Sequence, residues 1–254
     1  MPRYALLLEF DGTRFCGWQR QGALLSVQQV LEEAAAPLNN GITPTATGAG
    51  RTDAGVHAEG AVADLDLALD LPPERVRDAL NFRTQPLPVV VRAAARVAPD
   101  WSARFDCLGR GYRYRILNRP ARPALAAAKA WHVKRPLDAA TMHAAAQTLL
   151  GRHDFSAYRA AACQAKSALR TLDVLDVARC GEEVVITAEA RSFLHHQVRN
   201  LVGTLVEVGQ GRRPVTWPRQ VLEGLDRAKA GQTAPPDGLT FRFARYEPEP
   251  SWSR

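Results

Sequence analysis

Residues 71–100 have the sequence LPPERVRDALNFRTQPLPVVVRAAARVAPD, which contains a helix signal, a strand signal and a chain break in turn. The paired prolines at its start favour the first turn of a helix, which we predict over residues 71–81. The valine-rich residues 89–97 predict a strand. The Pro-Asp pair that follows is typical of a break in the chain. This order of signals predicts that a first structural half ends near residue 100.

The segments on both sides of this stretch predict a similar mixture of elements. Before it we expect strands over residues 3–10 and 61–67, and a helix over residues 27–38 capped by Ser26. After it we expect strands over residues 112–116, 171–178, 183–190 and 239–246, and helices over residues 139–150, 193–208 and 217–228, with Asp138 and Thr216 as caps of the first and last. Since strands and helices do not alternate regularly, the pattern favours an α+β fold over a doubly wound parallel one. We therefore predict two similar halves, residues 1–100 and 101–254, each with an antiparallel sheet flanked by helices.

The charge of the chain is concentrated in one region. The 254 residues include 33 Lys or Arg and 26 Asp or Glu, which gives a net charge of +7. Residues 96–135 alone contain ten cations and two acids. Such a basic segment on a nearly neutral chain predicts a surface that binds a polyanion. An ordinary solvated surface is the alternative.

Composition excludes several other classes of protein. No run of about 18 apolar residues occurs, so no membrane span is predicted. The four cysteines are far apart and include no CxxC pair, which argues against a zinc knuckle or a redox dithiol. Their spacing favours a reducing, cytoplasmic location. The GxSxG and HExxH signatures are missing, and we expect Asp64, Asp66 and Asp70 to face solvent.

Residues 48–58, GAGRTDAGVHA, form the most unusual stretch of the sequence. Its three glycines permit positive φ angles and close approach of another chain, with Arg51 and Asp53 between them. One interpretation is a tight turn in which the aspartate caps a backbone amide. The other is a catalytic carboxylate, since a neighbouring guanidinium favours the ionised form and an ionised aspartate can act as nucleophile or base.

Two further segments contain side chains that suit nucleic-acid or anion binding. Residues 110–115, RGYRYR, alternate aromatic and basic side chains, which can stack on bases and reach phosphates. An ordinary strand with buried tyrosines is the alternative. Residues 193–200, FLHHQVRN, place Arg199 on a predicted helix, four residues after His195 and on the same face. A half-buried arginine requires an anion, unless its head reaches the surface.

Several motifs, in this order along the chain, resemble the tRNA pseudouridine synthase A family. They are EFDG at residues 9–12, GWQRQ at 17–21, GRTDAGVH at 50–57, ARF at 103–105, YRY at 112–114, DF at 154–155, HHQVRN at 195–200 and AP at 234–235 followed by GL at 238–239. The resemblance extends from residue 4 to residue 246, and GRTDAGVH is highly specific.

The resemblance implies an enzyme that isomerises uridines 38, 39 and 40 of the tRNA anticodon stem-loop without a cofactor or metal. It implies two α+β halves that meet at a basic active-site cleft, and a homodimer in which one tRNA can touch both subunits. Asp53 matches the catalytic aspartate and Arg199 the active-site arginine, while Tyr112 and Arg51 match residues close to the target base. We expect RNA contacts from further basic residues, namely Arg20, Arg104, Arg110 and Arg113.

Two positions depart from the family pattern, and two other functions compete with it. Gly111 stands where a basic residue is common, which puts in doubt the local strength of RNA contact, and Gln197 stands where methionine is familiar. One competing function is a non-catalytic tRNA-binding or RNA-binding protein that uses the same basic strand. The other is a nucleoside or glycoside hydrolase with Asp53 as nucleophile, although no motif supplies the second carboxylate that such enzymes use.

Overall fold

The computed structural model describes residues 1–253, and these residues form ten strands and five helices. In chain order they are β1 (Arg3–Phe10), α1 (Val27–Ala35), β2 (Thr47–Gly48), β3 (His57–Asp66), α2 (Pro73–Thr84), β4 (Val89–Val97), β5 (Gly109–Leu117), β6 (Trp131–His132), α3 (Ala139–Gln147), β7 (Gly151–Asp154), β8 (Leu169–Cys180), β9 (Glu183–Ala190), α4 (Gln197–Gly209), α5 (Trp217–Gly224) and β10 (Leu239–Arg245). The predicted α+β class is confirmed.

The chain divides into two compact units. Unit 1 comprises Met1–Arg110 together with the C-terminal stretch from Thr240, and unit 2 comprises Gly111–Leu239. The predicted division lies near residue 100 and assigns the whole C-terminal part to the second half. The C-terminal stretch belongs to unit 1 because β10 pairs in parallel with β3, with Thr240 opposite His57.

Unit 1 is built on the strand order β4-β1-β3-β10, with β2 paired to β3. β1 lies antiparallel to both β3 and β4, and its alternating apolar side chains are fully buried, as Leu6 and Leu8 illustrate. The expectation that Asp64 faces solvent is wrong. Asp64 is 5% exposed, because its Oδ1 accepts the N–H of Ala103 at 2.7 Å from beneath a loop. Asp66, two residues further along β3, instead pairs with Arg3.

Unit 2 has the strand order β5-β9-β8-β7, with β6 paired to β5. β8 and β9 form an antiparallel hairpin, α3 packs on β8, and α4 packs on α3. The pairs β1–β3 and β1–β4 of unit 1 and the pairs β7–β8 and β8–β9 of unit 2 are antiparallel, as predicted. Two short pairs are parallel, β3 with β10 and β5 with β6.

Two of the predicted helix starts are confirmed by their capping hydrogen bonds. Ser26 Oγ accepts the N–H of Gln29 at 3.2 Å, and Asp138 Oδ1 accepts the N–H of Thr141 at 3.0 Å. Each cap satisfies a backbone donor that the first helical turn leaves without a partner. None of the five helices in residues 1–253 is both long and apolar enough to cross a lipid bilayer.

The other two helices of unit 2 differ from the prediction at their ends. α4 begins at Gln197 instead of residue 193, because His196 has a left-handed backbone with φ 62. α5 ends at Gly224 instead of residue 228, because Leu225 is left-handed with φ 55. Thr216 has helical backbone angles, φ −76 and ψ −17, where a capping residue is normally extended. Its predicted capping role is therefore wrong.

Candidate active site

Asp53 lies in the loop between β2 and β3, which we call the Asp53 loop (residues 49–56). A segment that follows β1 holds this loop through its backbone. The Trp18 N–H donates to the carbonyl oxygen of Thr52 at 3.0 Å, and Gly17 forms an antiparallel bridge with Asp53. Because backbone atoms make these contacts, they fix the loop independently of its own side chains.

Two glycines of that segment lie against the Asp53 loop. A Cβ atom on Gly12 would lie 1.9 Å from the carbonyl oxygen of Val56. Gly17 has φ +109, and its Cβ would lie 2.5 Å from the carbonyl oxygen of Thr52. The buried His57 adds to the same contact, since its Nδ1 accepts the N–H of Gly12 at 3.1 Å. Only glycine allows the backbones to approach this closely.

The Asp53 loop contains a tight turn that is closed through the main-chain carbonyl of Asp53. The Val56 N–H donates to the Asp53 carbonyl at 3.2 Å, and Gly55 has φ +80. Asp53 itself is half-buried, while Arg51 is exposed. The turn is compatible with a catalytic role, because the Asp53 side chain remains partly accessible.

Arg110 connects the Asp53 loop to a neighbouring turn of unit 1. Its Nε donates to the carbonyl oxygen of Ala49 at 2.8 Å, and its Nη2 donates to that of Arg104 at 3.0 Å. Arg104 is exposed, with its guanidinium carbon 5.4 Å from the centre of the Phe105 ring. Arg110 therefore has a structural role in addition to the RNA contact predicted for it.

Arg20, another predicted RNA-binding residue, lies beside acidic side chains of α1. Its Nε is 3.5 Å from a carboxylate oxygen of Glu32, and its Nη2 is 3.4 Å from one of Glu33. These acids partly offset the charge that Arg20 would offer to a phosphate.

Tyr112 belongs to the buried side of β5 in unit 2. The residue is 8% exposed, and its ring meets that of Phe193 edge to face, with 5.2 Å between the ring centres. The structure thus brings together the two segments of unit 2 that the sequence singled out. Tyr114, the next residue on the same side, donates its hydroxyl to the Pro235 carbonyl at 2.7 Å, and burial raises the pKa of this phenol.

The basic side chains of β5 alternate with these tyrosines, as predicted, but they differ in their surroundings. Arg115 forms two hydrogen bonds to Glu183, at 2.9 and 2.6 Å, and these hold the pKa of the Glu183 carboxyl below its usual range. Arg113 is half-buried. Only part of the positive charge counted along this segment is therefore available to a polyanion.

Arg199 is half-buried on the first turn of α4, and its Nε donates to the carbonyl oxygen of Ala234 at 2.8 Å. The prediction that His195 shares a helical face with Arg199 is wrong, because the helix begins after both histidines. The rings of His195 and His196 lie 4.0 Å apart, centre to centre. Gln197, the departure from the family pattern, accepts the N–H of Leu194 with its Oε1 at 2.8 Å.

Comparison with known proteins gives the family of the chain. The sequence model of the family described as tRNA pseudouridine synthase matches residues 7–106 and 145–247. The chain belongs to the tRNA pseudouridine synthase family. It is 59% identical over 251 residues to the tRNA pseudouridine synthase A of Acidiphilium cryptum, with 98% of each chain covered. It is 57% identical over 246 residues to that of Methylobacterium nodulans, covering 97% of this chain and 96% of the relative.

Membership of the tRNA pseudouridine synthase family confirms the expected class of enzyme, an isomerase that forms pseudouridine. The matched spans include Asp53, Arg104 and Arg199. Tyr112 and Arg113 lie in the stretch between the two spans, which the near full-length relatives cover.

Sequence reasoning missed several residues that shape these sites. Gly12 and Gly17 belong to the EFDG and GWQRQ motifs, but their contact with the Asp53 loop joins segments far apart in the sequence and has no local signal. The sequence pattern predicts Phe193 as the start of a helix, whereas in the structure it precedes α4 and packs on Tyr112. Phe105 belongs to the ARF motif, and nothing in the sequence indicates that its ring is exposed.

Proposed function

We propose that this protein isomerises uridine to pseudouridine at positions 38, 39 and 40 of the tRNA anticodon stem-loop, with Asp53 as its catalytic carboxylate. The observation that supports this most strongly is the half-buried Asp53. It lies in a loop whose close backbone contacts require glycine at residues 12 and 17, in a chain of this family. We further propose that the enzyme is a cytoplasmic homodimer.

The reaction requires only groups that proteins contain. The N1–C1′ bond of the uridine breaks, the uracil turns, and C5 bonds to C1′. The proton on C5 is lost and N1 takes one up, so the product is an isomer and nothing is oxidised. Acid–base and nucleophilic groups suffice for these steps, so we propose no cofactor. Asp53 either attacks C1′ or removes the 2′ proton.

Three further residues assist Asp53 in this proposal. A stacked base must leave the helix to react, which costs a few kcal/mol, and Arg51 fills the space that it leaves. Tyr112 stacks on the extruded uracil, a role that suits a ring already oriented by Phe193. Arg199, with its Nε bound to the Ala234 carbonyl, is the cation that we assign to the reaction as partner of the catalytic carboxylate.

Phosphate contacts in this proposal come from Arg20, Arg104, Arg110 and Arg113. Each neutralised phosphate releases counterions, so tRNA affinity falls as salt rises. One tRNA contacts both subunits of the dimer. Single-stranded loop bases near the target add stacking contacts to this electrostatic binding.

The decisive experiment compares Asp53→Asn with wild type on tRNA that carries tritium at C5 of uridine. We expect wild type to release tritium, and Asp53→Asn to lose turnover while keeping its tRNA affinity. Asp173→Asn, a change at an exposed aspartate of β8, is the matched control and should behave as wild type. Primer extension after carbodiimide treatment then maps the modified positions.

Each competing function predicts a different result in this experiment. A non-catalytic RNA-binding protein would bind tRNA and leave every uridine unchanged. A hydrolase would release free uracil and leave an abasic site in place of pseudouridine. Near-normal tritium release by Asp53→Asn would contradict the assignment of the catalytic residue.

A further inference from the structure

Phe105 is an aromatic side chain that the described residues leave outside the core. It is 75% exposed, although large apolar side chains are normally buried. The Arg104 guanidinium lies 5.4 Å from the centre of its ring. The two side chains together present a flat aromatic surface next to a positive charge.

The backbone beneath Phe105 is a rigid turn over residues 102–106. The Asp106 N–H donates to the Ser102 carbonyl at 3.1 Å, and Asp106 Oδ2 accepts the Ser102 N–H at 2.8 Å. The turn is also anchored from below, because the Tyr246 hydroxyl donates to the Ala103 carbonyl at 2.7 Å. An exposed ring on so fixed a backbone loses little entropy when a ligand binds.

The same turn is connected to the Asp53 loop through one side chain. Arg110 donates to the carbonyl oxygens of Ala49 and Arg104, so a single guanidinium links the two segments within unit 1. The turn that carries Phe105 and the loop that carries Asp53 are therefore neighbouring segments of unit 1.

We infer that Phe105 and Arg104 form a stacking subsite for one unpaired nucleobase of the RNA substrate, close to the target uridine. This inference rests on the proposed function. RNA bases outside a helix stack on exposed aromatic rings and on guanidinium planes. Arg104 adds attraction to the phosphodiester of the same nucleotide. The subsite is separate from the roles of Tyr112 and Asp53, because it holds a neighbouring base that does not react.

The test measures binding of a synthetic anticodon stem-loop RNA at several salt concentrations. We expect Phe105→Ala to weaken binding by about 5- to 150-fold, the range found for one base stack, and to raise KM more than it lowers kcat. Because no charge is removed, the salt dependence of binding should stay as in wild type. Phe105→Trp should restore the affinity, and Phe105→Leu should not.

Phe82→Ala is the matched control, because Phe82 lies on α2 of the same unit and is 77% exposed. We expect it to bind the RNA as wild type does. Replacing loop nucleotides one by one with abasic residues then identifies the stacked base. Wild type should bind the RNA that is abasic at that position as weakly as Phe105→Ala binds intact RNA. Phe105→Ala should bind the abasic RNA with the same affinity, because the stacking contact is already lost.

Three results would overturn the subsite. The first is that Phe105→Ala binds the RNA as tightly as Phe82→Ala does. The second is that Phe105→Leu keeps the affinity of wild type. The third is that Phe105→Ala changes the mass measured by sedimentation, which would place the ring at a subunit contact. Any of these in an enzyme that still releases tritium leaves the proposed function intact. A wild-type enzyme that releases none overturns the proposed function instead.

Discussion

The Asp53 loop of unit 1 and the strand β5 of unit 2 hold their functional side chains in different ways. In the Asp53 loop, backbone atoms of an N-terminal segment touch backbone atoms of the loop, and two glycines make that approach possible. In β5, side chains are held by other side chains, such as Phe193 against Tyr112 and Glu183 against Arg115. A substitution at a glycine against the Asp53 loop therefore displaces backbone, whereas a substitution at a partner side chain of β5 removes one side-chain contact.

The largest effect should come from breaking the backbone contact with Gly17→Ala. The added methyl group would lie 2.5 Å from the Thr52 carbonyl oxygen, at a residue with φ +109. We expect the free energy of unfolding to fall by about 1–3 kcal/mol. We expect kcat on tRNA to fall by about 100-fold, because a displacement of about 1 Å misplaces the carboxylate. Urea unfolding and tritium release measure the two quantities.

Gly22→Ala is the control for this prediction. Gly22 also has a positive φ, +48, but a Cβ atom there meets no atom of the described structure within 4 Å. This variant should lose about 1 kcal/mol, the cost of a left-handed alanine, and keep its kcat. Equal loss of kcat in both variants would show that the contact with Thr52 does not position Asp53.

An intermediate effect should separate the two arginines of β5. Arg113→Gln should reduce the slope of log Kd against log salt by about one charge, if this side chain meets a phosphate. Arg115→Gln should leave the slope nearly unchanged, because Arg115 is bound to Glu183. It should instead lower the free energy of unfolding by about 0.5–1 kcal/mol. A wild-type slope for Arg113→Gln would contradict a phosphate contact of Arg113, and a slope lowered by Arg115→Gln would contradict the idea that Glu183 keeps Arg115 from the RNA.

The smallest effect, on the free energy of unfolding, distinguishes two carboxylates of β3. Asp64 accepts a hydrogen bond from the backbone N–H of Ala103, and Asp66 accepts hydrogen bonds from the side chain of Arg3. Burial raises the pKa of Asp64 above the usual 3.8, so its ionised form costs stability, and that cost is relieved as the pH falls through the raised pKa. Bonding to Arg3 lowers the pKa of Asp66 below 3.8. Its contribution is therefore complete above the usual pKa and is lost as the pH falls through the lowered one.

We therefore expect opposite behaviour of Asp64→Asn and Asp66→Asn in urea unfolding between pH 8 and pH 3. At pH 8 the Asp64 variant should be at least as stable as wild type, since its amide oxygen still accepts the Ala103 N–H, and its advantage should shrink toward acid pH. The Asp66 variant should be less stable at pH 8 by about 0.5–1 kcal/mol and approach wild type in acid. Equal losses at pH 8 would contradict this assignment.

Local signals predicted much of the fold. The bounds of β1, β4 and β9 match the predicted residues 3–10, 89–97 and 183–190, because alternating or continuous apolar side chains mark strands directly. The ends of α4 and α5 could not be predicted in this way. They depend on left-handed backbone at His196 and Leu225, and leucine in particular gives no sequence signal for a positive φ.

The candidate sites were predictable only in part, for a related reason. The Asp53 loop was recognisable from its own glycines and carboxylate. Its contacts with Gly12 and Gly17 join segments far apart in the sequence, as does the pairing of Arg115 with Glu183. Such contacts depend on tertiary packing, which local sequence patterns do not contain. Because Arg115 pairs with Glu183, a count of charges along residues 96–135 gives a larger basic surface than the structure has.

The return of β10 to unit 1 has a consequence for how the protein is made. β10 lies beside β3, the strand that begins directly after the Asp53 loop, yet the ribosome synthesises the whole of unit 2 before β10 emerges. Until then β3 has an unprotected edge of the kind that invites wrong pairing, and the usual order in which an N-terminal domain folds first cannot be completed. A nascent chain released early therefore lacks a strand of the very unit that presents Asp53, even though every residue of the loop has already been translated.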